Sequence, residues 1–120
     1  MKKNDLRNRT FQFALIIIKL AEKLPKSKTT DIIIYQIVKA GTSVGANYRA
    51  ALRARSNKEF ISKINIVLEE VDETLYWLEI IKELNYLKDE ILNPAMKEAD
   101  ELTAIFTSSL KTMNNKMKGN

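Results

Sequence analysis

The chain has 120 residues, 45% of them hydrophobic, enough for one compact core and a single domain spanning 1–120. It contains no Cys and no His, which excludes disulfides, thiolate or imidazole metal sites, cysteine nucleophiles and the usual neutral-pH general base. The formal charge of +5 is unevenly spread: residues 1–30 hold eight Lys/Arg against two Asp/Glu, and residues 56–88 hold four against seven.

Three Gly and two Pro leave few turn signals and favour long helices. The first is predicted from Asp5 to Leu24, with Asp5 as its cap and Pro25 as its stop. Phe13, Ile17, Leu20 and Leu24 share one face. Phe11, Leu15 and Ile18 point elsewhere, so this helix is expected to be covered on more than one side, the second time by another subunit. The run Phe13–Ile18 is too short to span a bilayer, is interrupted by Lys19 and lacks a small-residue cleavage site, so the expectation is a soluble, cytoplasmic protein with no membrane partner.

The second helix is predicted from Asp31 to Arg55, capped by Thr29 or Thr30. Ile33, Ile37, Val44, Tyr48 and Ala51 form its core face. Ala40, Ser43, Ala46, Ala50 and Ala54 form a small-residue face suited to close helix approach, and Tyr35, Thr42, Arg49 and Arg53 a third. Gly41 and Gly45 each cost about 1 kcal/mol of helix propensity relative to Ala, so close packing or a local kink is expected there. Lys39 and Arg49 on the same helix make a membrane dimerisation motif the poorer reading of the glycine pair.

Ser56-Asn57-Lys58-Glu59 has the pattern of a capping box opening a third helix over Asn57–Leu84. Its core stripe is Phe60, Ile64, Val67, Leu68, Val71, Leu75 and Leu78. Ile66, Trp77 and Ile80 make a second stripe beside Glu73, expected on the far side as an oligomer interface. After a turn at Asn85-Tyr86-Leu87, a fourth helix is predicted over Asp89–Met113, with Asn93-Pro94 as its cap and first residue or as a kink. Met96, Ala99, Leu102, Ile105 or Phe106, Leu110 and Met113 supply its core, and a polar tail at about 114–120 is expected to fray. Short connections between four long helices predict an all-α, antiparallel up-down-up-down four-helix bundle.

Ser43-Val44-Gly45-Ala46-Asn47-Tyr48, followed by Arg53, Ser56, Glu59-Phe60, Glu73-Thr74 and Trp77-Leu78, resembles the bacterial "four helix bundle protein" family, also called the 23S rRNA intervening-sequence protein family. The resemblance runs from Phe11 to Leu110. It implies a bundle assembled as a ring-shaped homopentamer, and some relatives are encoded inside intervening sequences of 23S rRNA genes. A distant relative is the accessory variability protein of diversity-generating retroelements, a basic pentamer that binds nucleic acid and a reverse transcriptase. Many members carry an acid after the Asn47-Tyr48 pair, where this chain has Arg49. The family transfers no catalytic residues.

Arg49, Arg53 and Arg55, with Lys39 and Lys58 nearby, read as phosphate-contacting residues, joined by the N-terminal Lys2, Lys3, Arg7 and Arg9, which have no evident acidic partner in the sequence. The competing reading pairs Arg49 and Arg53 with Glu69, Glu70 and Glu73 of the third helix, within or between subunits. A ring of five chains presents the same patch five times, which makes weak phosphate contacts useful. No basic–aromatic alternation suggests base stacking, so contact through the RNA or DNA backbone is expected. Without His, the acids of the third helix do not resemble a carboxylate metal site. Two functions remain open at this point: a non-catalytic nucleic-acid-binding oligomer, or a scaffold recruiting a partner protein. Neither needs a cofactor or metal.

Overall fold

A computed structural model describes residues 3–118, the side chains from Asp5 onward. Four helices follow one another: α1 (Lys3–Ala21), α2 (Lys28–Leu52), α3 (Asn57–Glu83) and α4 (Asp89–Lys118). The connections, residues 22–27, 53–56 and 84–88, are too short for anything but reversal of direction. Consecutive helices pack as neighbours and α1 meets α4, closing an antiparallel bundle of 53 × 21 × 21 Å.

The helix ends show where side chains satisfy orphan amides. Ser27, rather than Thr29 or Thr30, caps α2: its Oγ accepts from the Thr30 amide at 3.1 Å, while Thr30 Oγ1 accepts from the Ser27 amide at 2.9 Å. Threonine takes the place usually held by Glu or Gln in this reciprocal arrangement. Asp5 lies within the first turn of α1, where its charge faces the positive helix end, and is not the cap. Ser56 caps α3 as expected, but Glu59 Oε2 accepts from the Arg55 amide at 3.2 Å, one residue earlier than a full box requires. At the other end Asn85 adopts φ 56°, the Tyr86 amide donates to the Ile81 carbonyl and the Asn85 amide to the Lys82 carbonyl. This is a Schellman closure with Asn in the left-handed position.

α4 opens at Asp89, as predicted, and of the two readings of Asn93-Pro94 the cap is excluded: Pro94 lies inside the helix, because Asp89 and Glu90 already form the first turn. So close to the helix start, its missing amide removes just one bond, to the Glu90 carbonyl. The helix runs past its predicted end at Met113. It stays helical to Lys118, where Asn114, Met117 and Lys118 lie along Lys58 and Ile61 of α3. Gly119 and Asn120 lie outside the described residues.

Most of the predicted core faces are buried: Phe13, Ile17, Leu20 and Leu24; Ile33, Ile37, Val44, Tyr48 and Ala51; Ile64, Val67, Val71 and Leu78; Ala99, Leu102 and Phe106, whereas Phe60, Leu68, Leu75, Met96, Leu110 and Met113 of the same stripes are only partly buried. Leu92 and Ala95, absent from the predicted stripe of α4, join the buried set. Thr74 is fully buried yet satisfied, donating to the Glu70 carbonyl at 2.7 Å. Trp77 and Ile80 do not form a separate far face: both are half-buried and pack against the chain's own core. The aromatic left outside on α3 is Tyr76, 58% exposed and edge-on to Trp77. The Trp77 indole N–H finds no acceptor among the described residues.

The glycines of α2 let α1 approach closely. A Cβ at Gly41 would sit 2.9 Å from Cγ2 of Ile17, and one at Gly45 would sit 3.3 Å from Oγ1 of Thr10. The close contact is made at the two glycines, whereas Ala46 of the predicted small-residue face is exposed.

Candidate nucleic-acid interface

Close approach of α1 to α2 leaves a groove on the outer side of the pair. Its floor is made of residues with little or no side chain, Ala14, Gly45 and Ala46. Phe11, Leu15 and Ile18 of α1 form one wall, at three- and four-residue steps along one helix face; Thr42, Arg49 and Arg53 of α2 form the other. At one end Arg7 and Asn8 join Phe11 and Arg49 around a smaller concavity. The Arg49 guanidinium lies over the Phe11 ring, 5.6 Å from its centroid. No described carboxylate is within ion-pair distance of Arg7, Arg49 or Arg53. Three guanidiniums from two helices thus converge without neutralisation by the chain itself.

The other basic residues singled out from the sequence are elsewhere. Arg9 is engaged internally: its Nε and Nη2 donate to the two carboxylate oxygens of Glu98 at 2.9 and 2.7 Å, and Nη2 also reaches Glu101 at 2.9 Å. This corrects the expectation that Arg9 lacks acidic partners. The hydrogen bonds to Glu98, despite partial burial, raise its pKa still further above the ordinary guanidinium value. Arg9 clamps α1 to α4 and contributes no free charge. Arg55 and Lys58 belong to the end of the bundle, Arg55 beside Lys116 and Lys58 beside Lys118. Lys39 sits over the Tyr35 ring at 5.9 Å and within electrostatic reach of Glu70. Lys2 lies outside the described residues, as does the side chain of Lys3. Asn8 and Phe11 were missed in the sequence as members of the site. Their one signal there is the four-residue step from Arg7 to Phe11.

Within the chain, Arg49 and Arg53 make no ion pair with Glu69, Glu70 or Glu73; the cation that reaches the acidic face of α3 is Lys39. Burial is the main cause of a raised pKa at Glu70, with Glu73 and Glu69 adding repulsion and Lys39 opposing. The ionised form is therefore disfavoured by folding. The group costs nothing where it is protonated in both states, and its charge becomes a burden as pH rises through the carboxylate range. Glu70→Gln is expected to raise the melting temperature at pH 7 and to lose that advantage by about pH 4, close to the ordinary glutamate pKa. An advantage that persists unchanged at the lower pH would contradict this electrostatic environment.

Among the described residues no cluster of three or more acidic residues is placed to hold a metal ion, and no helix is long and apolar enough to cross a membrane. Over residues 2–108 the sequence matches the family described as 23S rRNA-intervening sequence protein. The chain belongs to this family. A crystal structure of a protein of unknown function from the S23 ribosomal protein family of Bacteroides thetaiotaomicron VPI-5482 is 34% identical, with a TM-score of 0.85. The alignment covers 92% of this chain and 99% of that one, so the intervening-sequence protein fold is shared over nearly its whole length. No curated protein matches the chain. The resemblance expected from Ser43–Tyr48 and the Trp77-Leu78 pair is thus confirmed at the level of family and fold.

Proposed function

We propose that this member of the 23S rRNA-intervening sequence protein family is a non-catalytic, oligomeric, cytoplasmic protein that binds RNA or DNA through phosphate contacts at the α1–α2 groove. The observation that carries the reading is the convergence of Arg7, Arg49 and Arg53 with no carboxylate partner in the described chain. Unneutralised guanidiniums on one surface favour a polyanion, and the family description links relatives to rRNA intervening sequences. Assembly into a ring, the pentamer implied by the resemblance, repeats the groove and multiplies weak contacts. The second reading, recruitment of a partner protein, is favoured by Ile32 and Tyr35, which leave 62% and 63% of their surfaces exposed on α2.

Fluorescence anisotropy with a labelled RNA hairpin and a DNA duplex distinguishes the two. Three phosphate contacts per chain predict a loss of roughly 40-fold in affinity between about 50 and about 200 mM salt. Arg49→Glu combined with Arg53→Glu is expected to abolish this binding while leaving helicity and oligomer mass unchanged. Binding that survives the double reversal would overturn the assignment of the groove. An intact oligomer that binds neither probe at low salt would shift the function to protein recruitment.

A further inference from the structure

Phe11 is the odd residue of the groove. Its ring is 46% exposed at the centre of the basic cluster, with Arg49 over it and Arg7 one turn away. Backbone contact alone has no use for the exposed face of an aromatic ring: a duplex keeps the flat faces of its bases stacked inside and presents only base edges, sugar and phosphate. An unpaired nucleotide offers both a charged group and a flat apolar face. Aromatic rings and Arg planes are the usual platforms for such bases.

We propose that Phe11 stacks against one unpaired nucleobase while Arg7, Arg49 and Arg53 take the flanking phosphates, so that the groove selects unpaired nucleotides over continuous duplex. The inference rests on the reading of this groove as a nucleic-acid site and adds what that site selects. The remaining wall supports a small occupant. Leu15 and Ile18 are already half-buried by the bundle, so the unpartnered apolar contact is essentially one ring, which suits a base better than a helix face. Gly45 adds no side chain to the floor. The three unpaired cations set the charge of the occupant as negative.

The test compares two labelled single strands of about twelve nucleotides, in the range of known single-strand sites, with identical backbone charge: one oligothymidylate, the other abasic throughout. The intact chain is expected to bind the base-bearing strand at least about tenfold more tightly, the size of one stacking contact. Phe11→Ala is expected to remove that preference, the base-bearing strand losing at least about fivefold more affinity than the abasic one, and Phe11→Tyr to restore it. Far-UV circular dichroism checks that the variant is folded. Equal binding of the two strands by the intact chain, or an equal loss for both in Phe11→Ala, overturns the stacking role and leaves the phosphate reading standing. Failure of the intact chain to bind either strand or any duplex overturns both. A drop in sedimentation mass for Phe11→Ala, without any base preference in the parent, would show that a second copy of the chain occupies the groove and would also overturn the proposal.

Discussion

Phe106→Ala is expected to destabilise the bundle by about 3–5 kcal/mol, the usual range for emptying a large buried aromatic site. Phe106 is fully buried, and its ring centroid lies 5.4 Å from that of Tyr48 at a tilt of 55°. That pair joins the middle of α4 to the end of α2, two helices that are not consecutive in the chain. Truncation removes the buried area of the ring, the tilted aromatic contact, and part of the cover over the Tyr48 side chain, whose burial already raises its pKa. For a chain of this length the melting temperature should fall by roughly 10–20 °C. Phe106→Leu refills most of the space and should recover more than half of the loss. A decrease of only a degree or two in Phe106→Ala would mean that the site collapses without penalty, contrary to the packing described here.

Gly41→Val should be the next most damaging change. A Cβ at this position would stand 2.9 Å from Cγ2 and 3.0 Å from Cβ of Ile17. Ile17 is completely buried, and its branch point is too stiff to swing aside. Overpacking of this kind costs about 1–3 kcal/mol for a small addition, and the two further methyl groups of valine place the substitution at or above the upper end. Gly41→Ala recovers about 1 kcal/mol of helix propensity, so its net cost is smaller. Gly45→Ala meets Thr10 Oγ1 at 3.3 Å and the Thr10 backbone at 3.4 Å, which demands a shift of only a few tenths of an ångström. Its propensity gain and its crowding should nearly cancel, to within about 1 kcal/mol. The expected order of melting temperatures is therefore Gly45→Ala, then Gly41→Ala, then Gly41→Val. A reversal of the two alanine variants would show that α1 seats on α2 at a different height.

The helices were legible because core residues recur at three- and four-residue steps over long stretches, as from Ile64 through Val67 and Val71 to Leu78. Helix ends were less so. The cap of α2 is a Ser–Thr exchange at Ser27 and Thr30, which carries no acidic marker, and Pro94 imitates a helix start one and a half turns inside α4. For the candidate site, Arg49 and Arg53 could be placed together because one turn separates them. That Arg7 and Phe11 complete the cluster, and that Arg9 does not, depends on the rotation of α1. Residues two apart on a helix point in nearly opposite directions, and Arg9 is turned toward Glu98, 89 positions away in the sequence. Contacts of that separation leave no local trace. The same holds for Trp77 and Ile80, whose side chains reach back over the core from what the wheel shows as a distant face.

The Arg9 clamp also bears on the order in which the molecule comes apart. α1 is held along one side by the glycine seam of α2, and its other edge meets α4 more sparsely, where the Arg9 guanidinium donates to Glu98 and Glu101. As described, Lys3–Ala21, it is also the shortest helix of the four. Such an element is the natural first unit of partial opening, exchanging its amide hydrogens ahead of the α2–α4 remainder. The groove shares that fate, since one of its walls is α1 itself. Whatever occupies it bridges the hinge-prone helix to its neighbour, and occupancy and helix docking become a single equilibrium.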